Sequence, residues 1–335
     1  MASKGLKIVF SLLIAALFLW FAFRGVPLSE LWNQITEIKL GWIFPFTIVM
    51  LLSHYLRAER WMLLLTDLKI KPLRSTMMAG VMLGYMVNYA FPRLGEVSRP
   101  VYVARKNGLS SGKLLGTIVL ERIIDLVCLI FFLLFISIYF IADEEILSQI
   151  FGTEGWTTRV YLFIPTVLAL LIFFSWAGFR LLRFIETKWQ LDNPFLKKLV
   201  EFIDMFWKGI VSVRNVNNWP LYILYTLGIW AGYIMMAYLP FWMLDMHTIY
   251  DLGAIEAMVL TIISAVGMAV PTPGGIGSYH LFTQQTLWLI FSVPLVTSLT
   301  YATVNHGVTM IMVLLTGPLI LWFDKYYTLK NKVVR

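Results

Sequence analysis

Apolar runs of about 20 residues recur along this chain, and they limit its fold more than any other feature. A helix that crosses a bilayer needs about 20 mainly apolar residues. Hydrophobic residues make up 59% of the 335 positions and charged residues only 14%, against about 25% in soluble domains. The sequence therefore predicts an all-α polytopic integral membrane protein, with one membrane domain over residues 1–335. Six full spans are expected near residues 6–23, 41–65, 114–141, 159–181, 218–244 and 294–323.

The net charge of +8 gives the orientation of the chain. Lys and Arg gather at the ends of the apolar runs, as the positive-inside rule requires, so we expect no nucleic-acid partner. Both termini are predicted to be cytoplasmic, in the cytoplasmic (inner) membrane of a prokaryote. The first apolar run resembles a signal peptide, but no A-x-A-like cleavage site precedes Arg24. We expect it to be retained as the first span.

Residues 77–91 form an apolar piece that is too short to span, and loop charge decides how it is threaded. If this piece dips into the membrane and returns, the basic residues that follow it stay inside and the acidic loop goes outside. The basic residues are Arg99, Arg105, Lys106 and Lys113, and the acidic residues are Asp143, Glu144, Glu145 and Glu154. We therefore predict a re-entrant hairpin over residues 77–100, which is tolerated where protein or a wet cavity surrounds it. Residues 182–217 then fall inside as a cytoplasmic amphipathic segment.

A second break lies at residues 254–293, where prolines and glycines interrupt an apolar stretch. Two alternatives fit it: a hairpin that enters from the opposite face, or two short full spans. Broken segments in both halves of a chain are typical of an inverted repeat with a binding site at the repeat interface. We expect two re-entrant hairpins, and this pattern favours a translocator.

Ionisable residues occupy the first hairpin and the following span, where they are expensive and usually functional. The planar fork of arginine suits phosphate, so we expect Arg93 and Arg99 to hold a lipid head group. Acids nearby would balance the arginines or shuttle protons; the alternative is that ion pairs only hold the hairpin against the next span. The first candidate substrate-binding residues are Asn88, Arg93, Glu96, Arg99, Glu121, Arg122 and Asp125.

A glycine loop in the second break supplies the remaining candidates, Gly274, Gly275, Gly277 and His280. Glycines remove side chains where the backbone turns, and the N-terminus of the next helix would bind an anion. A tight turn between two spans is the alternative. Arg57 and Arg60 are weaker candidates, because snorkelling to the interface explains them equally well.

No cofactor, metal or catalytic residue is expected. Cys128 is the only cysteine, and the histidines at 247, 280 and 306 have no ligand partner at close spacing. His306, beside Asn305 in the last span, is expected to donate a hydrogen bond between helices, and a proton-responsive role is the alternative. The glycine loop matches neither a nucleotide-binding loop nor the G-x-S-x-G pattern of hydrolases.

Three motifs together resemble a flippase-like family that includes the transmembrane region of lysylphosphatidylglycerol synthases. The resemblance covers residues 40–320, and its motifs are Asn88 with Pro92-Arg93-Leu94-Gly95-Glu96 and Arg99, then Glu121-Arg122 with Asp125, then Pro273-Gly274-Gly275-Ile276-Gly277. It implies translocation (flipping) of an anionic or aminoacylated phospholipid, or of a polyprenyl-linked lipid. Many relatives carry a glutamate where this chain has His280, and an arginine where it has Asn305-His306.

We therefore expect a lipid flippase that performs no covalent step and whose partners are a membrane lipid and the bilayer. The bifunctional relatives carry a soluble aminoacyl-transferase domain after the membrane part, and no such segment is expected here. The alternative is a polytopic transferase that acts on a lipid-linked substrate. A homodimer stays open, since Gly228 and Gly232 form a small-residue spacing found at some helix interfaces.

Overall fold

A computed structural model describes residues 2–65, 72–141, 216 and 218–333. The all-α class is confirmed for these residues, which contain no strand. The predicted span near 159–181 and, apart from Val216, the predicted amphipathic segment 182–217 lie outside the described residues. The helices are α1 (Ala2–Phe23), α2 (Leu28–Thr36), α3 (Ile43–Leu63), α4 (Arg74–Ala90), α5 (Gly95–Asn107), α6 (Ser111–Ile141), α7 (Trp219–Met243), α8 (Met246–Ile249), α9 (Ala254–Ala269), α10 (Ser278–Leu289) and α11 (Leu295–Val333).

Three of the described helical stretches are long and apolar enough to cross a membrane: Leu40–Leu63, Trp219–Met243 and Leu295–Thr328. The first includes a short 3-10 turn, Leu40–Trp42, before α3. A fourth is reached if α1 and α2 form one span, although they meet at an angle of 89°. The chain is a multi-pass membrane protein, and the number of six spans stays a prediction. The sequence patterns did not predict α2.

The chain divides into two compact units, residues 1–118 with 216–335, and residues 119–215. The larger unit contains both broken segments and all described helices apart from the C-terminal part of α6. The described part of the smaller unit is residues 119–141 of α6. A single membrane domain over the whole chain stays a prediction.

Helices α4 and α5 form an antiparallel hairpin, which we call hairpin 1. Gly80 faces Val103, and a Cβ at Gly80 would lie 2.8 Å from a methyl group of that valine. Further along, a Cβ at Gly84 would lie 3.2 Å from the Gly95 carbonyl oxygen. The arms contain 17 and 13 residues, so they are about 26 and 20 Å long at 1.5 Å per residue. A hairpin is therefore present where residues 77–100 predicted one, with longer arms.

Helices α9 and α10 form hairpin 2, which turns through the 3-10 segment Pro273–Gly275. The arms touch near the turn, since a Cβ at Gly267 would lie 3.0 Å from the Tyr279 Cα. With 16 and 12 residues, the arms are shorter than the 20 or so residues that a full span needs. Short arms favour the hairpin alternative over two full spans.

The two hairpins begin at opposite ends of α3. Arg74, the first residue of α4, pairs with Glu59 near the C-terminal end of α3, at 3.0 Å. Hairpin 2 follows closely after α7 and α8. The C-terminal end of α7 lies at the other end of α3, because the Lys39 N–H donates to the Met243 carbonyl at 2.9 Å, and Lys39 also pairs with Asp245 at 2.5 Å.

Helix α7 packs on α3 through two glycines. A Cβ at Gly228 would lie 2.8 Å from Leu56, and one at Gly232 would lie 2.8 Å from Ser53. The small-residue spacing considered for a homodimer therefore serves close packing within the chain, where short side chains let two helix backbones approach. A homodimer stays a prediction, and Gly228 and Gly232 do not support it.

Candidate functional site

The turns of the two hairpins meet, and Arg93 joins them. Arg93 lies in the turn of hairpin 1 with φ of +61°, a left-handed conformation that is uncommon outside glycine. Its Nη2 donates to the carbonyl oxygen of Ala269, the last residue of α9, at 2.6 Å. A guanidinium at this carbonyl is favourable because the C-terminal end of a helix carries partial negative charge. The Arg93 side chain is exposed.

Gly274 brings the turn of hairpin 2 against the end of α4. Its φ is +57°, and a Cβ there would lie 2.5 Å from the Tyr89 ring. His306 of α11 lies on the other side, with its Nε2 2.8 Å from the Gly274 carbonyl oxygen. The turn is therefore held between α4 and α11, and only glycine fits at this position.

Gly275 and Gly277 also have positive φ, +77° and +85°. A Cβ at Gly275 would lie 2.1 Å from the Met268 sulfur, and one at Gly277 would lie 2.5 Å from the Ala15 carbonyl oxygen. The loop thus packs on α1, where the Ser11 hydroxyl also donates to the Pro271 carbonyl at 2.6 Å. The glycines permit this close approach, and anion binding at the N-terminus of α10 stays a prediction.

His280 is buried in the first turn of α10, with its ring centre 5.0 Å from that of His306. The Tyr279 ring stacks on His306 at 5.2 Å, and the Asn305 amide donates to the Tyr279 hydroxyl at 2.8 Å. The hydrogen bond predicted for His306 is present, but its partner Gly274 lies in the turn of hairpin 2 and not on another helix. These contacts fasten α11 to hairpin 2 beside the meeting point of the turns.

Asn88 supports the turn of hairpin 1, since its Oδ1 accepts a 2.7 Å hydrogen bond from the Gly95 N–H. Helix α5 begins at Gly95, so Arg93 lies outside it. Arg93 therefore does not share a helix with Glu96 and Arg99. Glu96 is half-buried in the first turn of α5, and Arg99 is buried with its guanidinium 4.0 Å from the Trp61 ring centre.

Arg57 and Arg60 are buried in α3, with 4% and 0% of their surface exposed, so the snorkelling interpretation is wrong. The Arg57 Nη1 donates to the hydroxyls of Tyr85 in α4 and Tyr233 in α7, at 3.0 and 2.5 Å. Arg60 lies within 3.4 Å of the Thr226 hydroxyl. These two guanidinium groups contact polar side chains on neighbouring helices and do not reach the membrane–water interface.

The three candidates of α6 belong to the smaller unit of the chain. Glu121 is fully buried and Arg122 is exposed. Arg122 lies 3.7 Å from the Asp125 carboxylate, one turn along the helix. Their part in binding a substrate stays a prediction.

Asp324 is a buried carboxylate that the sequence reasoning missed. It pairs with Lys106 and accepts hydrogen bonds from the hydroxyls of Ser75, Thr76 and Tyr102, at 2.9, 2.8 and 2.6 Å. Burial, the hydrogen bond to Asp324 and its negative charge raise the pKa of Tyr102 above its usual value, so this hydroxyl stays a donor. The cluster ties the open end of hairpin 1 to α11. A lone acid near the end of an apolar run was the available signal.

Residues 8–317 match the model of a family described as the lysylphosphatidylglycerol synthase TM region. The chain belongs to this family. The matched region contains both hairpins and every candidate residue of the meeting turns, so the described geometry is that of the family's membrane region in this chain.

This member of the family is also similar to archaeal membrane proteins. It is 30% identical to UPF0104 membrane protein MJ1078 of Methanocaldococcus jannaschii over 55% of this chain and 71% of that protein. It is 23% identical to UPF0104 membrane protein MJ1595 of the same organism over 83% of each chain. UPF0104 membrane protein PH1989 of Pyrococcus horikoshii is 22% identical over 87% of this chain and 88% of its own. No solved structure matches significantly.

Proposed function

We propose that this chain translocates an anionic or aminoacylated phospholipid, or a polyprenyl-linked lipid, between the leaflets of the cytoplasmic membrane. The observation that carries the proposal is the exposed Arg93 at the place where two short hairpins meet turn to turn. The family description supports a membrane role that is related to lipids.

The Arg93 guanidinium can bind a phosphate group at the place where the two turns meet. A guanidinium has five N–H donors, and within the described part of the chain Arg93 donates one hydrogen bond, to Ala269. Donors in a planar fork remain for a phosphate diester, which they bind through paired, charge-assisted hydrogen bonds. The left-handed backbone of Arg93 is the kind of strained conformation that occurs at binding sites.

Two hairpins that begin at opposite ends of α3 suit a path for a head group. If each dips into the bilayer, the polar turns with Arg93 and Gly274 lie at membrane depth, where non-helical backbone is tolerated in protein or beside a wet cavity. The head group would pass along this polar surface while the acyl chains stay in the hydrocarbon. Such an arrangement lowers the barrier for a charged group without any covalent step.

Three buried arginines are proposed to continue the path beyond the turns. Arg57, Arg60 and Arg99 lie on α3 and α5, and Arg57 is six residues, or about 9 Å along the helix axis, from the C-terminal end of α3. Loop charge assigns that end to the cytoplasm. The three guanidinium groups are proposed to line the path of an anionic head group that enters from this side.

The test is lipid scrambling by the purified chain in liposomes. Fluorescent phosphatidylglycerol, phosphatidylcholine and a polyprenyl phosphate are each placed in both leaflets, and dithionite reports how fast the inner pool reaches the outside. Loss of a charged hydrogen-bond pair costs about 1.5–3 kcal/mol, which corresponds to roughly 10- to 100-fold in rate. We expect a loss of this size in Arg93→Gln for the anionic lipid that the wild type moves.

Arg24→Gln is the matched control, because Arg24 is an exposed arginine that lies over the Trp20 ring at 5.3 Å, away from the hairpin turns. It removes the same charge and is expected to scramble at the wild-type rate. Equal rates for Arg93→Gln and the wild type would reject Arg93 as the phosphate contact. Absence of movement for every lipid, with conversion of one of them to a new species, would replace the flippase proposal by the transferase.

A further inference from the structure

Helix α2 follows α1 after a sharp break, and the two helices meet at 89°. Gly25 in the break has φ of +78°, and Pro27 stands immediately before α2. Helix α1 is apolar and largely exposed over residues 9–21, as expected of a helix that faces lipid. If α1 crosses the membrane along its normal, as the sequence predicts for the first span, a helix at a right angle to it lies parallel to the membrane plane.

Side chains divide α2 into three faces. Leu31 is 6% exposed and packs with Leu299 of α11, so this face belongs to the protein core. Leu28 and Trp32, one turn apart, are 64% and 66% exposed. Polar residues occupy the opposite side of the helix, and those that are exposed are Ser29, Glu30, Asn33, Thr36 and Glu37.

The surroundings of α2 mark a boundary between apolar and polar surface. Exposed apolar residues precede and follow it, with Phe21 at 45% and Phe44 at 73% exposure. The exposed ion pair of Lys39 with Asp245 lies between α2 and Phe44, and two exposed charged residues cannot lie deep in hydrocarbon. The apolar face of α2 thus lies at the level where the exposed surface changes from apolar to charged.

We infer that α2 is an interfacial helix whose Leu28–Trp32 face binds the lipid surface at the boundary between head groups and acyl chains. Amphipathic helices with Trp and Leu on one face lie in this plane, and tryptophan is enriched there. Lipid is the occupant that fits, because exposed apolar residues of α1 precede this face along the chain and the exposed Phe44 of α3 follows it. This inference does not depend on the proposed translocation.

Spin labels on single cysteines test the depth of the two faces. The Cys128→Ser variant is free of cysteine because Cys128 is the only one in the sequence. Trp32→Cys carries the label on the apolar face, and Asn33→Cys, the next residue, carries it on the polar side as the matched control. The labelled chains are placed in vesicles of phosphatidylglycerol and phosphatidylcholine, and collision rates with oxygen and with a water-soluble nickel complex are measured.

The expected result is that oxygen collides several-fold more often than nickel with the label at position 32, and that this ratio reverses at position 33. Leu28→Cys gives a second reading of the same face if Trp32→Cys does not assemble. Water-like collisions at both 28 and 32 would overturn the inference. Spin–spin broadening at 32 that disappears on dilution with unlabelled chain would assign the face to a second copy, and it would overturn the inference as well.

Discussion

Replacing Gly95 by alanine tests whether the arms of hairpin 1 touch as described. A Cβ at Gly95 would lie 1.9 Å from the Gly84 carbonyl oxygen and 2.6 Å from the Asn88 Oδ1. The obstacle at Gly84 is backbone, so α4 and α5 must separate by more than about 1 Å to relieve a contact this short. Overpacking of this kind costs about 1–3 kcal/mol, and separation also removes the Asn88–Gly95 hydrogen bond, worth about 1 kcal/mol.

Alanine is also the better helix former by about 1 kcal/mol, which offsets part of the clash. The expected net loss in the free energy of unfolding is therefore about 1–3 kcal/mol for Gly95→Ala. At about 2–4 °C per kcal/mol for medium-sized domains, the thermal midpoint in detergent should fall by about 2–12 °C. Intrinsic tryptophan fluorescence during heating measures it.

Gly116→Ala in α6 is the matched control, because Gly116 is exposed and a Cβ there would meet no described atom within 4 Å. It carries the same gain in helix propensity without the clash, so its midpoint should stay level or rise. If Gly95→Ala unfolds at the same temperature as Gly116→Ala, the arms do not touch at Gly84 and the described turn is incorrect.

Two further changes test the ends of hairpin 1. Lys106→Met leaves the buried Asp324 carboxylate without its cation, which costs about 3–5 kcal/mol for a buried pair. The double variant with Asp324→Asn should regain part of the lost thermal midpoint. A double variant that is no more stable than Lys106→Met would reject the ion pair. Gly274→Ala should lower the midpoint through its clash with Tyr89. Tyr89→Ala in the same chain should restore the steric part and leave about 1–2 kcal/mol for the positive φ; no restoration would show that the turn does not rest on Tyr89.

Sequence patterns predicted the helices that depend on local composition. Apolar runs gave five of the described helices within a few residues of their ends, apart from the longer C-terminal end of α11. Hairpin 1 followed from loop charge, because a bilayer makes basic loops prefer one side. Helix α2 was missed since it has only nine residues, and its packing against α11 is not visible in local composition.

The site could be predicted only in part, because tertiary contacts decide it. Arg93 and Arg99 were expected to hold one head group together, but Asn88 accepts the Gly95 N–H and α5 begins two residues after Arg93. Snorkelling to the interface seemed to explain Arg57 as well as binding did. A sequence shows how far a residue lies from the end of a helix, but it does not show which neighbouring helices bury that residue. Asp324 bonds partners that are more than 200 residues away in sequence, which no local pattern reveals.

The contacts at the two ends of hairpin 1 differ in strength, and this difference predicts which end separates more readily from its neighbours. At the open end, the buried Asp324 receives an ammonium and three hydroxyl groups, and releasing it would strand a charge in a dry environment. At the turn, the exposed Arg93 donates one hydrogen bond within the described part of the chain, to Ala269, which water or a phosphate can replace, and Gly274 packs on the Tyr89 ring. Parting the turns strands no buried charge, so we expect it to require less free energy than release of the open end. Under the proposed translocation, a passing head group would part the turns while hairpin 1 stays fixed to α11.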